Sequence, residues 1–203
     1  MISGEFQQLI EEQTDAQLLG PCLYDDLVPY VFEPKPATWN TFRDLLVSSF
    51  NVVRTDIRVV GSGRFGFSLK PGQNLKSFDE TSDIDVIVVN AVLFDELWLA
   101  LLSAAYPRPP FTTYLGGWLG RRRSEVYTGW LTPLEIKLDA KIVGKKAKPV
   151  LDFNFRWFNT FKAASRHPPR RHEDINARLY RTWEHAELYH VNSLASLRKS
   201  LKE

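Results

Sequence analysis

Two aspartates spaced by one residue, Asp83 and Asp85, stand at the head of the apolar run Ile84, Val86, Ile87, Val88 and Val89. Upstream, a shorter strand-like segment, Ile57 to Val60, runs into Gly61-Ser62-Gly63-Arg64-Phe65-Gly66-Phe67-Ser68. Glycine carries no Cβ, so the backbone at Gly61, Gly63 and Gly66 can turn sharply and approach a ligand closely. A helix N-terminus after such a turn presents unpaired N–H groups that suit phosphate, and Ser62 adds a hydroxyl donor. Side chains alternate faces along a strand, so Asp83 and Asp85 point the same way, about 7 Å apart. Converging carboxylates repel each other unless a cation lies between them, and hard oxygen ligands of this kind favour Mg²⁺ held jointly with substrate phosphates. The expected ligand is a metal nucleotide.

Either half alone is compatible with a tight hairpin or a surface strand with solvated aspartates. The order of the two halves is more specific. Gly61-Ser62, Arg64, Gly66 and Ser82-Asp83-Ile84-Asp85-Val86 together resemble the signature of the DNA polymerase β-like nucleotidyltransferase superfamily, across roughly half the chain, from Thr38 to Val143. The resemblance implies an α+β fold, a mixed sheet flanked by helices. It also implies three carboxylates around two divalent metals, Mg²⁺ or Mn²⁺, and transfer of a nucleoside monophosphate from an NTP to an acceptor with release of pyrophosphate. Asp83 and Asp85 match the first two carboxylates. The third lies on a later strand in that superfamily, and Asp139 is the closer match, with Glu135 the alternative. Gly61 and Ser62 would cradle phosphate, with Arg64 and Ser68 as further nucleotide-binding candidates. Small stand-alone nucleotidyltransferases of this kind modify antibiotics, proteins, RNA ends or other nucleotides, and some resemble antitoxin or defence-module components.

The elements that must position these residues can be read from periodicity. A helix is expected from about Trp39 to Phe50, with Thr38 as its N-cap. Ile57 to Val60 and Ser82 to Asn90 read as strands. The turn-rich connection between them carries Lys70 and Lys76, exposed loop lysines that could reach a triphosphate. Leu93, Phe94, Leu97, Trp98, Leu101, Leu102 and Ala105 repeat at helical spacing up to Pro107. Residues 134–143 alternate apolar and charged, the pattern of a strand with Glu135, Lys137, Asp139 and Lys141 on one face. Arg121, Arg122 and Arg123 are candidates for phosphate contact, although adjacent strand residues cannot all face one site.

The chain's 203 residues, 44% hydrophobic and 25% charged, are those of a globular protein able to bury a substantial core. The single cysteine, Cys22, excludes an intrachain disulfide. No apolar run approaches the roughly 18 residues that a membrane span needs, so a cytoplasmic protein with no membrane partner is expected. Residues 1–37 hold seven acidic side chains and one basic one and are broken by Pro21, Pro29, Pro34 and Pro36. They read as an acidic leader, docked or partly mobile and extended, before a core over 38–149.

Residues 150–203 read as a helical extension. Phe153, Phe155, Trp157, Phe158 and Phe161 suit a helix docked on the sheet better than a base-stacking surface. Ile175, Leu179, Trp183, Ala186, His190, Leu194, Leu197 and Leu201 form one continuous helical stripe that would cover the core, pair with a protein partner or build a homodimer. His185 and His190 are five residues apart and turn to different helical faces, which makes no metal cage. A second reading keeps the nucleotide pocket but makes the protein a catalytically weak partner-binding module. A third is an RNA-modifying nucleotidyltransferase, whose RNA binding would be salt-sensitive.

Overall fold

The computed structural model describes residues 3–105, 123–133, 147–169 and 174–202. The leader opens with helix α1 (Ser3–Glu12), then a π-helical turn at Gly20–Tyr24 and a 3₁₀ turn at Tyr30–Phe32. Helix α2 (Ala37–Phe50) leads through a second 3₁₀ turn to strand β1 (Ile57–Val60), the one-turn helix α3 (Ser62–Phe65), strand β2 (Ile84–Val89) and helix α4 (Ala91–Ala105). Strand β3 (Trp130–Leu131), helix α5 (Lys148–Ala164), strand β4 (Ile175–Tyr180) and helix α6 (Trp183–Ser200) complete the described elements. This is an α+β arrangement with a mixed sheet in the order β1-β2-β4-β3.

Register explains the composition of β2. It pairs antiparallel with β1, Val59 opposite Val86, and parallel with β4, Asp85 opposite Asn176 and Ile87 opposite Arg178. One face of the sheet, carrying Val59, Val86, Val88 and Leu179, packs on Trp39, Phe42 and Leu46 of α2, on α4, and on Phe153, Trp157 and Phe161 of α5. The opposite face, carrying Val60, Ile87, Val89 and Tyr180, packs on Phe6 of α1, on Leu18 and Leu23, and on Leu194 and Leu197 of α6. A strand covered on both sides must be apolar on both sides, so β2 reads as an unbroken Val/Ile run from Val86 onward. Only its head can carry carboxylates.

Several expectations hold. Phe153, Trp157 and Phe161 are core residues as foreseen, whereas Phe158 is half-buried and Phe155, on the outer face of the same helix, is exposed. Helix α4 begins where expected, with the Asn90 side chain capping it by accepting from the Leu93 N–H at 2.9 Å. Helix α2 also forms, but Thr38 is not its cap. The helix starts at Ala37 behind Pro36, and the Thr38 hydroxyl donates to the Lys35 carbonyl at 2.7 Å. The leader is docked and largely coiled into turns, with Phe6, Leu18 and Leu23 fully buried.

The expected continuous helix from Ile175 to Leu201 is corrected. Ile175–Tyr180 is strand β4, inserted between β2 and β3, and α6 begins at Trp183. Ile175 and Leu179 are four apart, a spacing that satisfies a helix stripe and one face of a strand equally. Residues 150–203 are therefore not a purely helical extension, since they supply a strand that pairs with β2. The expected strand over 134–143 and the residues Arg121 and Arg122 lie outside the described residues. Arg123 opens a helical turn over 123–127. Among the described residues, no helix is long and apolar enough to cross a membrane.

Leu179 is 0% exposed in mid-strand, while Leu188 on α6 is 72% exposed. Leu179→Ala is expected to cost about 2–5 kcal/mol in urea denaturation, and Leu188→Ala less than about 0.5 kcal/mol. Equal, small losses at both positions would contradict the strand assignment.

Candidate active site

Strand β1 ends at Gly61, whose φ of +61° and ψ of −142° lie in a region that side chains with a Cβ avoid. The turn is closed by the Arg64 and Phe65 N–H groups donating to the Gly61 carbonyl at 3.1 and 3.3 Å. A Cβ on Gly61 would stand 3.3 Å from Asp85 Oδ2, so the carboxylate sits directly against the bare backbone of the turn. Gly66 closes α3 with φ +84°, and a Cβ there would stand only 2.8 Å from the Tyr30 ring. The glycine spacing thus sets both a backbone reversal and two close approaches.

Asp85 and Asp83 lie on the same face of the sheet, at the point where the cover of α1 and α6 gives way to a cavity of about 540 Å³. Asn176, next to Asp85 on β4, donates from Nδ2 to Asp83 Oδ2 at 3.0 Å and so fixes that carboxylate. Asp85 is accessible to water through the cavity mouth but enclosed by protein around its base. This enclosure, and secondarily the Asp83 charge, push its carboxyl up to about 6, against the opposing pull of Arg178 and Lys70. A carboxylate that is costly to ionise beside a second one gains from a cation.

Lys70 lines the same cavity, whereas Lys76 is bound to Asp79 at 2.9 Å. The Thr81 hydroxyl, Lys76 and the Thr81 N–H hold Asp79 far below the usual carboxylate range. The loop is pinned at its tip by the Gly72 N–H donating to Ser200 Oγ of α6 at 2.8 Å.

Of the sequence-predicted residues, Gly61 and Asp85 line the cavity, and Asp83 joins them through Asn176. Ser62 opens α3 beside them without lining the cavity. Ser68 lies in the loop, its N–H donating to the Lys76 carbonyl at 2.7 Å and its Oγ accepting from the Lys70 N–H at 3.2 Å. Arg64 points elsewhere. It is buried, and its guanidinium donates to the carbonyls of Pro21 at 2.5 Å and Asp25 at 2.8 Å, so its donors hold the leader. Asp139 and Glu135 lie outside the described residues.

Sequence reasoning missed three cavity residues, Asn176, Arg178 and His190. The signal for the first two was present in the alternation of Asn176, Arg178 and Tyr180 against Ile175, Ala177 and Leu179. Burial and the nearby Arg178 charge push the His190 imidazole down to about 4, so it is neutral at physiological pH. Cys22, also on the wall, has its thiol pushed up to about 12 by burial and stays protonated.

The donor set fits a hard divalent cation in part: two carboxylates on one face, one of them strained toward protonation, beside a turn whose missing Cβ leaves room. Among the described residues, no group of three or more His, Cys, Asp or Glu side chains converges as a metal cluster. The chain matches no family model, no curated protein and no solved structure.

The raised Asp85 pKa has a defined sign. The folded state holds this proton more tightly than the unfolded chain does, with its ordinary value of 3.8. The associated stability is full below about 3.8 and is lost as pH rises through about 6. In metal-free buffer, Asp85→Asn is therefore expected to melt higher than wild type at pH 7–8, with the gap closing toward pH 4. A gap that is constant with pH, or reversed, would contradict the assignment.

Proposed function

We propose that this protein is a metal-dependent nucleotidyltransferase that moves a nucleoside monophosphate from an NTP to an acceptor hydroxyl. The observation that carries the reading is the placement of Asp85 against the Gly61 turn in the wall of a nucleotide-sized cavity, with Asp83 on the same sheet face and tied to the cavity residue Asn176. The resemblance in residues 59–90 supplies the reaction class, and the geometry supports it by joining the two halves of the motif in space.

Asp83 and Asp85 would hold the divalent cation, Mg²⁺ or Mn²⁺, with Asp139 or Glu135 as the sequence-based third ligand. When bound, the ion would neutralise triphosphate charge and lower the pKa of the acceptor hydroxyl. The chain's own groups then orient the reactants. The open backbone at Gly61 admits phosphate closely, the Ser62 hydroxyl is one residue away, and Lys70 adds a positive charge at the cavity. Asn176 keeps Asp83 turned toward the site. The acceptor hydroxyl gives up its proton to water at the cavity mouth, its oxygen forms a bond to the α-phosphorus, the bond from that phosphorus to the bridging oxygen breaks, and pyrophosphate leaves with that electron pair.

The test is incubation of purified protein with each α-³²P-labelled NTP, Mg²⁺ or Mn²⁺, and a cell lysate, beside Asp83→Ala/Asp85→Ala. Label is expected in a protein, RNA or small-molecule fraction with wild type and at background with the variant. Nucleotide binding without any label transfer would favour a partner-binding module, and transfer surviving in the variant would overturn the assigned roles.

A further inference from the structure

Arg178 is the unusual cation of this fold. It stands on β4 opposite Ile87, two residues beyond Asn176, so its backbone lies about 7 Å deeper along the sheet than the Asp85 position. Its guanidinium lies in the corner between two aromatic rings that meet edge to face, 4.3 Å from the Tyr189 centroid and 4.7 Å from that of Trp130. Nη1 donates to the Tyr180 hydroxyl at a long 3.3 Å.

The other buried or half-buried arginines are answered by carboxylate or backbone carbonyl oxygen. Arg43 pairs with Asp26 at 2.8 Å, Arg58 donates to the Leu23 carbonyl at 3.0 Å, and Arg198 pairs with Asp15 at 2.7 Å. Among the described residues, none of the ion pairs uses Arg178, and its Nε is buried with no partner. A guanidinium offers five donors, and leaving a desolvated one unmatched is costly, so a planar charge fixed by two rings at the wall of a cavity is prepared for an anion. His190 beside it remains neutral and so adds no charge of its own, while its own Nε2 also lacks a partner.

We propose that Arg178 is the anion-recognising group of this cavity and that the cavity receives a small molecule bearing a phosphate or carboxylate. Resting on the transferase reading, that molecule is the acceptor, with its anion on Arg178 and its hydroxyl toward Asp83 and Asp85. The cavity supports a small molecule over an RNA end or a protein side chain. Its volume of about 540 Å³ is that of a ligand pocket, and α6 roofs it with Tyr189, His190 and Leu194. The span of about 7 Å between carboxylate and guanidinium levels suits one molecule that carries both an anion and a reacting hydroxyl.

The test is calorimetric titration in metal-free buffer without NTP, using AMP for the phosphate source, benzoate for the carboxylate source, and adenosine as the control without an anion. Wild type is expected either to bind AMP at least about 10-fold more tightly than adenosine, which identifies a phosphate source, or to bind benzoate, which identifies a carboxylate source. Arg178→Gln should lose about 10–100-fold in anion affinity. No preference for AMP over adenosine together with no benzoate binding, or unchanged affinity in Arg178→Gln for whichever anion binds, would overturn the proposal. The AMP, adenosine and benzoate titrations use wild type alone, so they decide even if Arg178→Gln does not fold. Anion binding through Arg178 without label transfer would leave this site standing and remove the transferase. Label transfer with no anion binding would do the reverse.

Discussion

The parallel pairing of β2 with β4 is the constraint on which the rest of the structure depends. Two strands adjacent in space are separated by more than eighty residues of chain, because a parallel pair needs a crossover and cannot be closed by a hairpin. Hydrogen bonds bracket the ladder at both ends, from the Ile84 N–H to the Asp174 carbonyl at 3.2 Å and from the Asn90 N–H to the Tyr180 carbonyl at 3.0 Å. A slip of one residue would turn Arg178 into the apolar layer beneath α2 and α5. In the observed register Asn176 stands by the carboxylates and Arg178 faces the cavity, so chemistry-bearing side chains from distant segments share one wall.

The second determinant is the leader, whose irregular backbone leaves carbonyls that need donors once buried. Arginines provide them. Arg58 reaches Leu23, Arg64 reaches Pro21 and Asp25, and Arg198 of α6 reaches Ile10 and Gln13. Charge follows the same pattern, since the acidic leader meets basic residues through Asp15 with Arg198 and Asp26 with Arg43. The Tyr24 hydroxyl adds a bond to the Glu187 carboxylate on α6. These contacts hold the first part of the leader over the sheet face that bears the cavity and place Cys22 in its wall, while Val31 and Phe32 join the core on the opposite face. Arg64, which fits a phosphate ligand by sequence position, thus does structural work in the described fold.

The elements whose periodicity has one solution were legible in the sequence: α2, α4, β1, β2 and the aromatic helix α5. The Asp83–Asp85 pair and the Gly61 turn were legible as a motif because glycine and alternating carboxylates each answer a local backbone demand. Two things were not. The stretch 175–180 satisfies both helical and strand spacing, and only the partner strand β2, ninety residues away, decides between them. The role of Arg64 depends on carbonyls of the leader that no local pattern reveals. His190 was illegible for the same reason, since its chemistry comes from what packs around it, while the alternation over 175–180 marked a face for Arg178 without revealing what that face meets. Asp139 and Glu135 remain expectations of the sequence.

The central claim is that Asp83 and Asp85 form a cation site that operates with a nucleotide. The most direct measurement is electron paramagnetic resonance of Mn²⁺ titrated into the protein with a non-hydrolysable NTP analogue, after correction for Mn²⁺ held by the analogue alone. The account predicts saturable loss of the free Mn²⁺ signal with wild type and its recovery in Asp83→Ala/Asp85→Ala. Equal Mn²⁺ uptake by both proteins, or none by wild type, would contradict it.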